Sequence, residues 1–239
     1  MDKLMLFFQR RDGLSSSEFH RHYLETHAPM ATAWARVIHR YVVNLTDQPP
    51  QPLDSLGFTH RTEGGFDAIT EAWVDSVPDF FDDRKCFADP EQARKMAADH
   101  HSFIGTMHGY RVSEELTDHR IPAPAAGRTP GVKLVVITWQ SDTGASPKAE
   151  PLDLRAPATS GQLPIPHRYV SNRVIEPITP EAPHVGHIIE ITVPTPRDLS
   201  TVLAVDAVSS LQGSPSLTSS WHLMSEYVQR PAMRMRIDQ

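Results

Sequence analysis

The feature that most constrains the fold of this chain is an internal repeat. The hexapeptide HRYVVN at 39–44 recurs as HRYVSN at 167–172, an offset of 128 residues. Two looser matches follow the same order along the chain, 3–8 with 133–138 and 69–74 with 188–193. Three ordered matches at similar offsets predict a duplicated structural unit of about 110–125 residues.

The repeat divides the chain into two units. The first covers 1–120 and the second covers 132–239. Between them lies 121–131, which is rich in proline, alanine and glycine as connecting segments often are. This segment is therefore interpreted as a linker.

The first unit alternates strand and helix signals. Apolar or β-branched runs predict strands at 3–10, 37–44, 67–74 and 107–113. Helices are predicted from Ser15, whose capping box is completed by Glu18, and from Asp89, which Pro90 follows. A short helix opens at Ser76. The order β-α-β-β-α-β is typical of ferredoxin-like units.

The first helix is expected to end near His27, because Pro29 disfavours a helical conformation at Ala28. Over 45–65, a long segment with three prolines is interpreted as a loop that closes over a pocket.

The second unit retains the strand signals but not the first helix. Strands are predicted at 132–139, 168–175, 185–193 and 221–228, with a helix near 198–211. Five prolines between 140 and 166 exclude a regular helix there. The predicted fold class is therefore α+β, with two ferredoxin-like units pairing inside one chain. The second unit is degenerate, and the first carries the chemistry.

The composition of the chain limits which binding partners are expected. The formal net charge is −6, from 23 basic and 29 acidic residues, and no basic stripe suggests nucleic-acid binding. No apolar run reaches the roughly 18 residues of a membrane-spanning helix. The single cysteine, Cys86, excludes an intrachain disulfide. A cytoplasmic protein without nucleic-acid or membrane partners is expected, and homodimer formation stays open.

The inward stripe of the first helix carries aromatic and histidine residues. At about 100° per residue, Phe19, Tyr23 and His27 share one side, with His20 beside them. A helix that only packs a core would carry aliphatic residues there. The second long helix repeats the pattern with His100 and Phe103, and Asp99 lies at the edge of that face.

Two helices with inward histidines predict a pocket for acid–base catalysis near neutral pH. The candidate catalytic residues are His27, His100, Tyr23 and Asp99, with Asp99 orienting His100. Candidate substrate-binding residues are Phe8, His20, Tyr41, Trp73 and Phe103, which would wall a flat substrate and bind its oxygens.

Other interpretations remain open. An inward histidine is more often a packed core residue, at roughly two to one. The possible metal ligands are His20, His22, His27, His100, His101 and Asp99. No His-Glu-x-x-His motif or i, i+4 histidine pair occurs, so neither a metal nor another cofactor is expected. Glu71 either forms an ion pair with a residue such as Arg111 or is catalytic. The matching Glu190 favours a structural role.

Residues 11–29, RDGLSSSEFHRHYLETHAP, resemble the Gly-Leu-Ser, Glu-Phe and His-x-Pro signature of the EthD family, in the dimeric α+β barrel superfamily. The resemblance is good over 1–110 and weak over 131–230. It implies a barrel formed by two paired units, with a pocket between sheet and helices. It also implies that His27 is the catalytic histidine. The second unit has no His-x-Pro counterpart, so one active site per chain is expected.

These observations favour a cofactor-independent lyase that removes water or carbon dioxide from a small hydroxylated aromatic or polyketide-like compound. His27 would act as general acid or base, with His100 as its partner. A cofactor-free monooxygenase or isomerase on the same scaffold is the alternative. A non-catalytic ligand-binding protein is a third possibility, because fold alone does not decide the reaction.

Overall fold

The computed structural model describes residues 1–47, 65–119, 126–140, 168–203 and 217–229. The strands are β1 (Asp2–Arg10), β2 (Ile38–Thr46), β3 (Ala68–Val74), β4 (Ile104–His119), β5 (Gly127–Arg128), β6 (Val132–Gln140), β7 (Arg168–Pro177), β8 (Val185–Val193) and β9 (Leu217–Gln229). The helices are α1 (Ser16–His22), α2 (Ala28–Trp34), α3 (Val77–Phe81), α4 (Asp83–Cys86), α5 (Pro90–Phe103) and α6 (Pro196–Leu203), and a π-turn (Tyr23–His27) joins α1 to α2.

Eight antiparallel strands form a closed barrel. Their order is β2-β3-β1-β4-β7-β8-β6-β9, and the pairing of β2 with β9 closes the ring. Among the described residues, the short β5 pairs with Tyr227 and Val228 near the end of β9. The α+β class and the paired sheets agree with the prediction. The description of the halves as ferredoxin-like units, and their division at 121–131, stay predictions.

Each half contributes four neighbouring strands in the same internal order. The halves meet at two seams, β4 with β7 and β2 with β9. Matching residues of the repeat occupy matching places, since Asn44 on β2 and Asn172 on β7 each donate to a buried glutamate. The repeat in the sequence therefore corresponds to a repeat in the sheet.

The predicted start of the first helix is confirmed, and its predicted end is wrong. Gly13 takes a φ of 88°, and Ser15 and Glu18 form the capping box. The chain then continues past His27 through the π-turn into α2. Pro29 lies in the first turn of α2, a position where proline is tolerated.

The other predicted helices are also present in the described part of the chain. Ser76 caps α3 and Asp89 caps α5, as expected. The predicted helix near 198–211 is observed as α6, and its second half lies outside the described residues. Most of the proposed loop 45–65 also lies outside the described residues. Across the described part of the chain, no helix is both long and apolar enough to cross a membrane.

The interior of the barrel is filled by side chains. One part is apolar and contains Phe7, Tyr110 and Ile137. Beside it lies a buried ion cluster of three cations and three carboxylates. Its members are Lys3, Lys133, Arg168, Glu71, Glu190 and Glu226. A filled interior leaves the outer face of the sheet as the place for a pocket.

Glu71 belongs to this cluster. Its carboxylate lies 2.9 Å from Lys3 Nζ and 2.8 Å from Lys133 Nζ. The predicted partner Arg111 pairs instead with Asp2 and Glu176, near the outside of the barrel. Burial raises the pKa of Glu71, but the two lysines outweigh it and hold that pKa well below its usual range. Glu71 thus has the structural role that the matching Glu190 suggested.

A second core lies between the outer face of the first half and helices α1, α2 and α5. It contains Leu6 and Phe8 from β1, together with Phe19, Tyr23 and Phe103 from the helices. This layer carries the histidines identified from the sequence.

Candidate active site

Two histidines share one carboxylate at the centre of this layer. His27, at the end of the π-turn, places Nδ1 2.8 Å from Oδ2 of Asp99 on α5. His22, the last residue of α1, places Nε2 2.7 Å from Oδ1 of the same group. The side chains of His27 and Asp99 are 3% and 7% exposed, whereas that of His22 is 32% exposed. Asp99 therefore joins a buried histidine to one at the surface.

The pairing assigns the proton positions on His27. Burial raises the pKa of Asp99, but hydrogen bonds from His27 and His22 outweigh it and lower the pKa overall. An ionised carboxylate only accepts hydrogen bonds, so Nδ1 of His27 carries the proton. In the neutral ring, Nε2 then offers a lone pair. This is the arrangement of a general base held by a carboxylate.

A chain of hydroxyl groups extends from this base. The hydroxyl of Tyr41 lies 3.4 Å from Nε2 of His27 and 3.3 Å from the hydroxyl of Tyr23. Tyr23 in turn hydrogen-bonds Thr70 Oγ1. Burial raises the pKa of Tyr41 to about 12 and that of Tyr23 well above its usual value. Both phenols stay protonated at neutral pH, so Tyr41 is able to donate to His27 or to a bound oxygen.

A cavity of about 240 Å³ lies beside His27 and Tyr41. Most of its wall is apolar: Leu6, Phe8, Ala31, Ala35, Ile38, Phe80, Phe81, Cys86, Phe87, Ala93, Met96, Ala97 and Met107. The polar members are His27, Tyr41, His100 and Asp83. Among the described residues that line it there is no lysine or arginine. Such a cavity suits a flat apolar compound with a few polar groups.

His100 supplies a second imidazole to the cavity. Its ring centroid lies 4.9 Å from that of His27. Burial, followed by the neighbouring His27, lowers the pKa of His100 to about 4. The ring is therefore neutral at neutral pH, where it can donate or accept a hydrogen bond without adding charge. Asp99 hydrogen-bonds His27 and His22, so the expectation that it orients His100 is corrected.

The structure brings most of the predicted site residues together, in two layers. Phe8, His27, Tyr41 and His100 line the cavity. Tyr23, Asp99 and Phe103 lie behind that lining. Phe103 is packed against the ring of His27 at 5.1 Å between centroids. These three residues support the histidine and do not form the cavity wall.

Two predicted substrate-binding residues lie elsewhere. Trp73 alternates on β3 with the residues that face the helices, so it points to the other side of the sheet. There it stacks with Lys3 and Arg40, whose charged groups lie 4.7 Å and 4.4 Å from the ring centroid. His20 interacts with Asp47 and Asp67 and does not line the cavity.

Several site residues were missed from the sequence. One wall of the cavity is formed partly by Phe80, Phe81 and Cys86 on the short helices α3 and α4. The caps of these helices were visible in the sequence, but their docking over the sheet was not. His22 was missed because a regular helix places it away from His27. The five-residue spacing of the two histidines, followed by a proline, was the available signal.

Among the described residues, the histidines do not gather in a group of three or more possible metal ligands, and His22 and His27 each bond a different oxygen of Asp99. Three carboxylates, Glu71, Glu190 and Glu226, lie within 4.8 Å of one another inside the barrel. Lys133 contacts all three. That lysine fills the position that a cation would occupy.

Comparisons with known proteins agree with this architecture. The family model of the EthD domain matches residues 11–107. A search of curated protein sequences finds no significant match. The chain is similar to the crystal structure of an anthrone oxidase-like protein, with a TM-score of 0.59 and 11% identity over 95% of this chain and 90% of the other.

A second solved structure is a candidate monooxygenase from Lactobacillus acidophilus NCFM, with a TM-score of 0.49 and 10% identity over 97% of both chains. This second likeness is too weak to support a conclusion. At 11% identity, the first supports the fold and does not specify a reaction.

Proposed function

Because residues 11–107 of this chain constitute an EthD domain, we propose that the protein is an enzyme in which His27 acts as general base on a flat, hydroxylated aromatic compound. The observation that carries this proposal is the buried His27–Asp99 pair at the wall of an apolar cavity. A base in this position removes a proton from a substrate C–H or O–H group. General-base catalysis of this kind typically contributes about 10²- to 10⁴-fold to a rate.

We further propose that the deprotonated substrate reacts with dioxygen. An anthrone-type methylene that loses a proton becomes an electron-rich carbanion, conjugated with the aromatic rings. The carbanion is oxidised and dioxygen is reduced, with a new C–O bond giving a hydroperoxide. Loss of water then leaves a ketone. The balance is R₂CH₂ + O₂ → R₂C=O + H₂O, and the proton held by His27 returns in the water.

Two features support oxidation over the elimination expected from the sequence. The solved structure with the stronger likeness is an anthrone oxidase-like protein. In addition, a substrate carboxylate buried in the cavity would find no lysine or arginine partner among the described lining residues, which include the carboxyl group of Asp83. Elimination of water from a neutral substrate uses the same base and is the competing outcome.

The test is to incubate the protein with a hydroxylated anthrone and follow oxygen uptake with an electrode and the product by mass spectrometry under ¹⁸O₂. One molecule of O₂ consumed per ketone, with ¹⁸O in the carbonyl group, supports the proposal. Loss of water from a hydroxylated substrate without oxygen uptake would establish a dehydratase instead. Dialysis against a chelator before the assay is expected to leave the rate unchanged.

A further inference from the structure

We propose that His22 is a positioning residue for His27, and that the π-turn between them exists to bring both histidines to Asp99. This inference deepens the proposed function and rests on it for its catalytic consequence. The structural part stands on two contacts, His22 with Asp99 and His27 with Asp99, and on the wide turn that joins the two histidines.

The geometry of a regular helix would separate these side chains. His22 and His27 are five residues apart, so at 100° per residue they would point about 140° away from each other. The observed turn is wider, since the N–H of Ala28 bonds to the carbonyl of Tyr23, five residues back. Pro29, which has no N–H, removes the next bond that an α-helix would form. The widened turn places both imidazoles beside one carboxylate. Such turns inside helices occur often at functional sites.

The two bonds fix Asp99 from opposite sides. Each carboxylate oxygen of Asp99 accepts from one imidazole, His22 at 2.7 Å and His27 at 2.8 Å. With Oδ1 held by His22, the carboxylate cannot rotate away without losing a charge-assisted hydrogen bond. Its Oδ2 therefore stays aimed at Nδ1 of His27. That contact keeps the proton on Nδ1 and the lone pair of Nε2 available to the cavity.

His22 does not contact the substrate cavity. Its ring packs against Phe103, with 4.7 Å between centroids, and borders a separate outer groove beside Arg21 and Glu25. Any effect of His22 on catalysis must therefore pass through Asp99 and His27. A role in packing alone would be satisfied by another aromatic ring, whereas a positioning role requires the Nε2–H donor.

These two roles make different predictions for His22→Phe and His22→Gln. The phenylalanine keeps a ring against Phe103 and removes the donor. The glutamine loses the ring and keeps an N–H at a similar reach. His20→Phe is the matched control, because His20 lies on the same helix and does not bond Asp99. His22→Met, another side chain without a donor, replaces His22→Phe if that variant does not fold.

The readout is the tautomer of His27, measured by NMR on ¹⁵N-histidine-labelled full-length protein without substrate. We expect one Nδ1–H tautomer in the wild type, His20→Phe and His22→Gln, and a mixture of tautomers in His22→Phe. With a substrate in hand, kcat of His22→Phe should fall by about 10- to 100-fold, as for other lost supporting contacts, with KM within about twofold.

An unchanged His27 tautomer in His22→Phe would overturn the positioning role. So would a mixture in His22→Gln as large as that in His22→Phe. Both results are independent of turnover. If the wild type oxidises no substrate but His22→Phe still shifts the tautomer, the proposed reaction is wrong and the positioning role stands.

Discussion

Nδ1 of His27 lies 2.8 Å from Oδ2 of Asp99, and this contact determines which nitrogen of the ring faces Tyr41 and the cavity. Replacing His27 with glutamine removes the base and keeps a polar side chain of similar reach. We expect kcat to fall by about 10²- to 10⁴-fold, measured as the rate of oxygen uptake. His101→Gln serves as the control, because His101 is exposed and bonds the carbonyl of Ala97 on its own helix. Equal rates for His27→Gln and wild type would contradict the assignment.

Asp99→Asn tests the orientation of the same ring. The amide keeps one acceptor and presents a donor at the other position, so His22 and His27 cannot both keep their present bonds. A donor that faces Nδ1 favours the opposite tautomer of His27. We expect a loss of about 10²-fold or more in kcat, with the fold retained in circular dichroism. The wild-type rate in Asp99→Asn would show that the carboxylate has no part in the reaction.

His100 has a distinct signature in the pH dependence. Burial and the nearby His27 lower its pKa to about 4, so its charge does not change between pH 5.5 and 8. We therefore expect His100→Gln to lower kcat/KM without moving the inflection of the pH–rate profile in that range. A displaced inflection would mean that His100 itself titrates in that range during catalysis.

Two neighbouring alanines on α5 allow a matched test of the cavity. Ala97 lines the cavity, and Ala98 next to it does not. An indole at position 97 should occupy space needed by a flat substrate, so Ala97→Trp is expected to raise KM at least about tenfold, while Ala98→Trp leaves it near the wild-type value. Similar kinetics for the two variants would place the substrate elsewhere. The measurement is a steady-state titration with the hydroxylated anthrone.

Cys86 reports on occupancy of the same cavity. It is buried, and burial with the charge of Asp83 raises the pKa of its thiol to about 11. At pH 8 the reactive thiolate is then scarce, so iodoacetamide should modify the folded chain about 10²-fold more slowly than the urea-unfolded chain. Adding 2-naphthol should slow the reaction further. Unchanged labelling with 2-naphthol at saturating concentration would argue against binding beside Cys86.

The buried ion cluster predicts acid sensitivity. Burial raises the pKa of Glu226, but Lys133 and Arg168 outweigh it and lower that pKa to about 2. A carboxyl group with a depressed pKa in the folded state stabilises the fold fully above its unfolded value of about 4.3. That contribution is lost as the pH falls toward about 2. We expect the free energy of unfolding, measured in urea, to decrease steadily across this window.

Glu226→Gln should weaken this pH dependence. It should also cost about 3–5 kcal/mol at pH 7, because Lys133 and Arg168 lose a buried partner. Glu91→Gln, which disrupts two exposed ion pairs within one helix, should cost less than about 1 kcal/mol. Equal losses for the two variants would contradict the structural importance of the cluster.

The sequence correctly predicted the features that depend on neighbouring residues or on the internal repeat. The capping box at Ser15 and the alternation of the strands depend on neighbouring residues, and both were correct. The end of the first helix was not, because a proline at the second position of a new helix has the same local signature as a terminating proline. With the wide turn unrecognised, the 100° projection separated His22 from His27, and Asp99 was assigned to the wrong histidine.

Long-range pairing explains the remaining differences. Trp73 was placed at the pocket because aromatic residues wall substrates, yet the side of a strand that a residue faces depends on register. Glu71 was recognised as needing a partner, but its partners come from β1 and β6, 68 and 62 residues away along the chain. No local pattern specifies which lysine closes such a contact.

The two seams of the barrel have a consequence for how this chain can be divided. If residues 1–119 were expressed alone, β2 would lose β9 and β4 would lose β7, leaving two sheet edges with free hydrogen-bonding groups. These two edges correspond in the repeat to β7 and β9 of the second half, so such a fragment is expected to pair with a second copy of itself. The resulting dimer would contain two His22–Asp99–His27 groups. Covalent fusion to the second half, in which the sequence predicts no counterpart of the first helix, prevents that outcome. We therefore expect one reaction centre for each ring of eight strands.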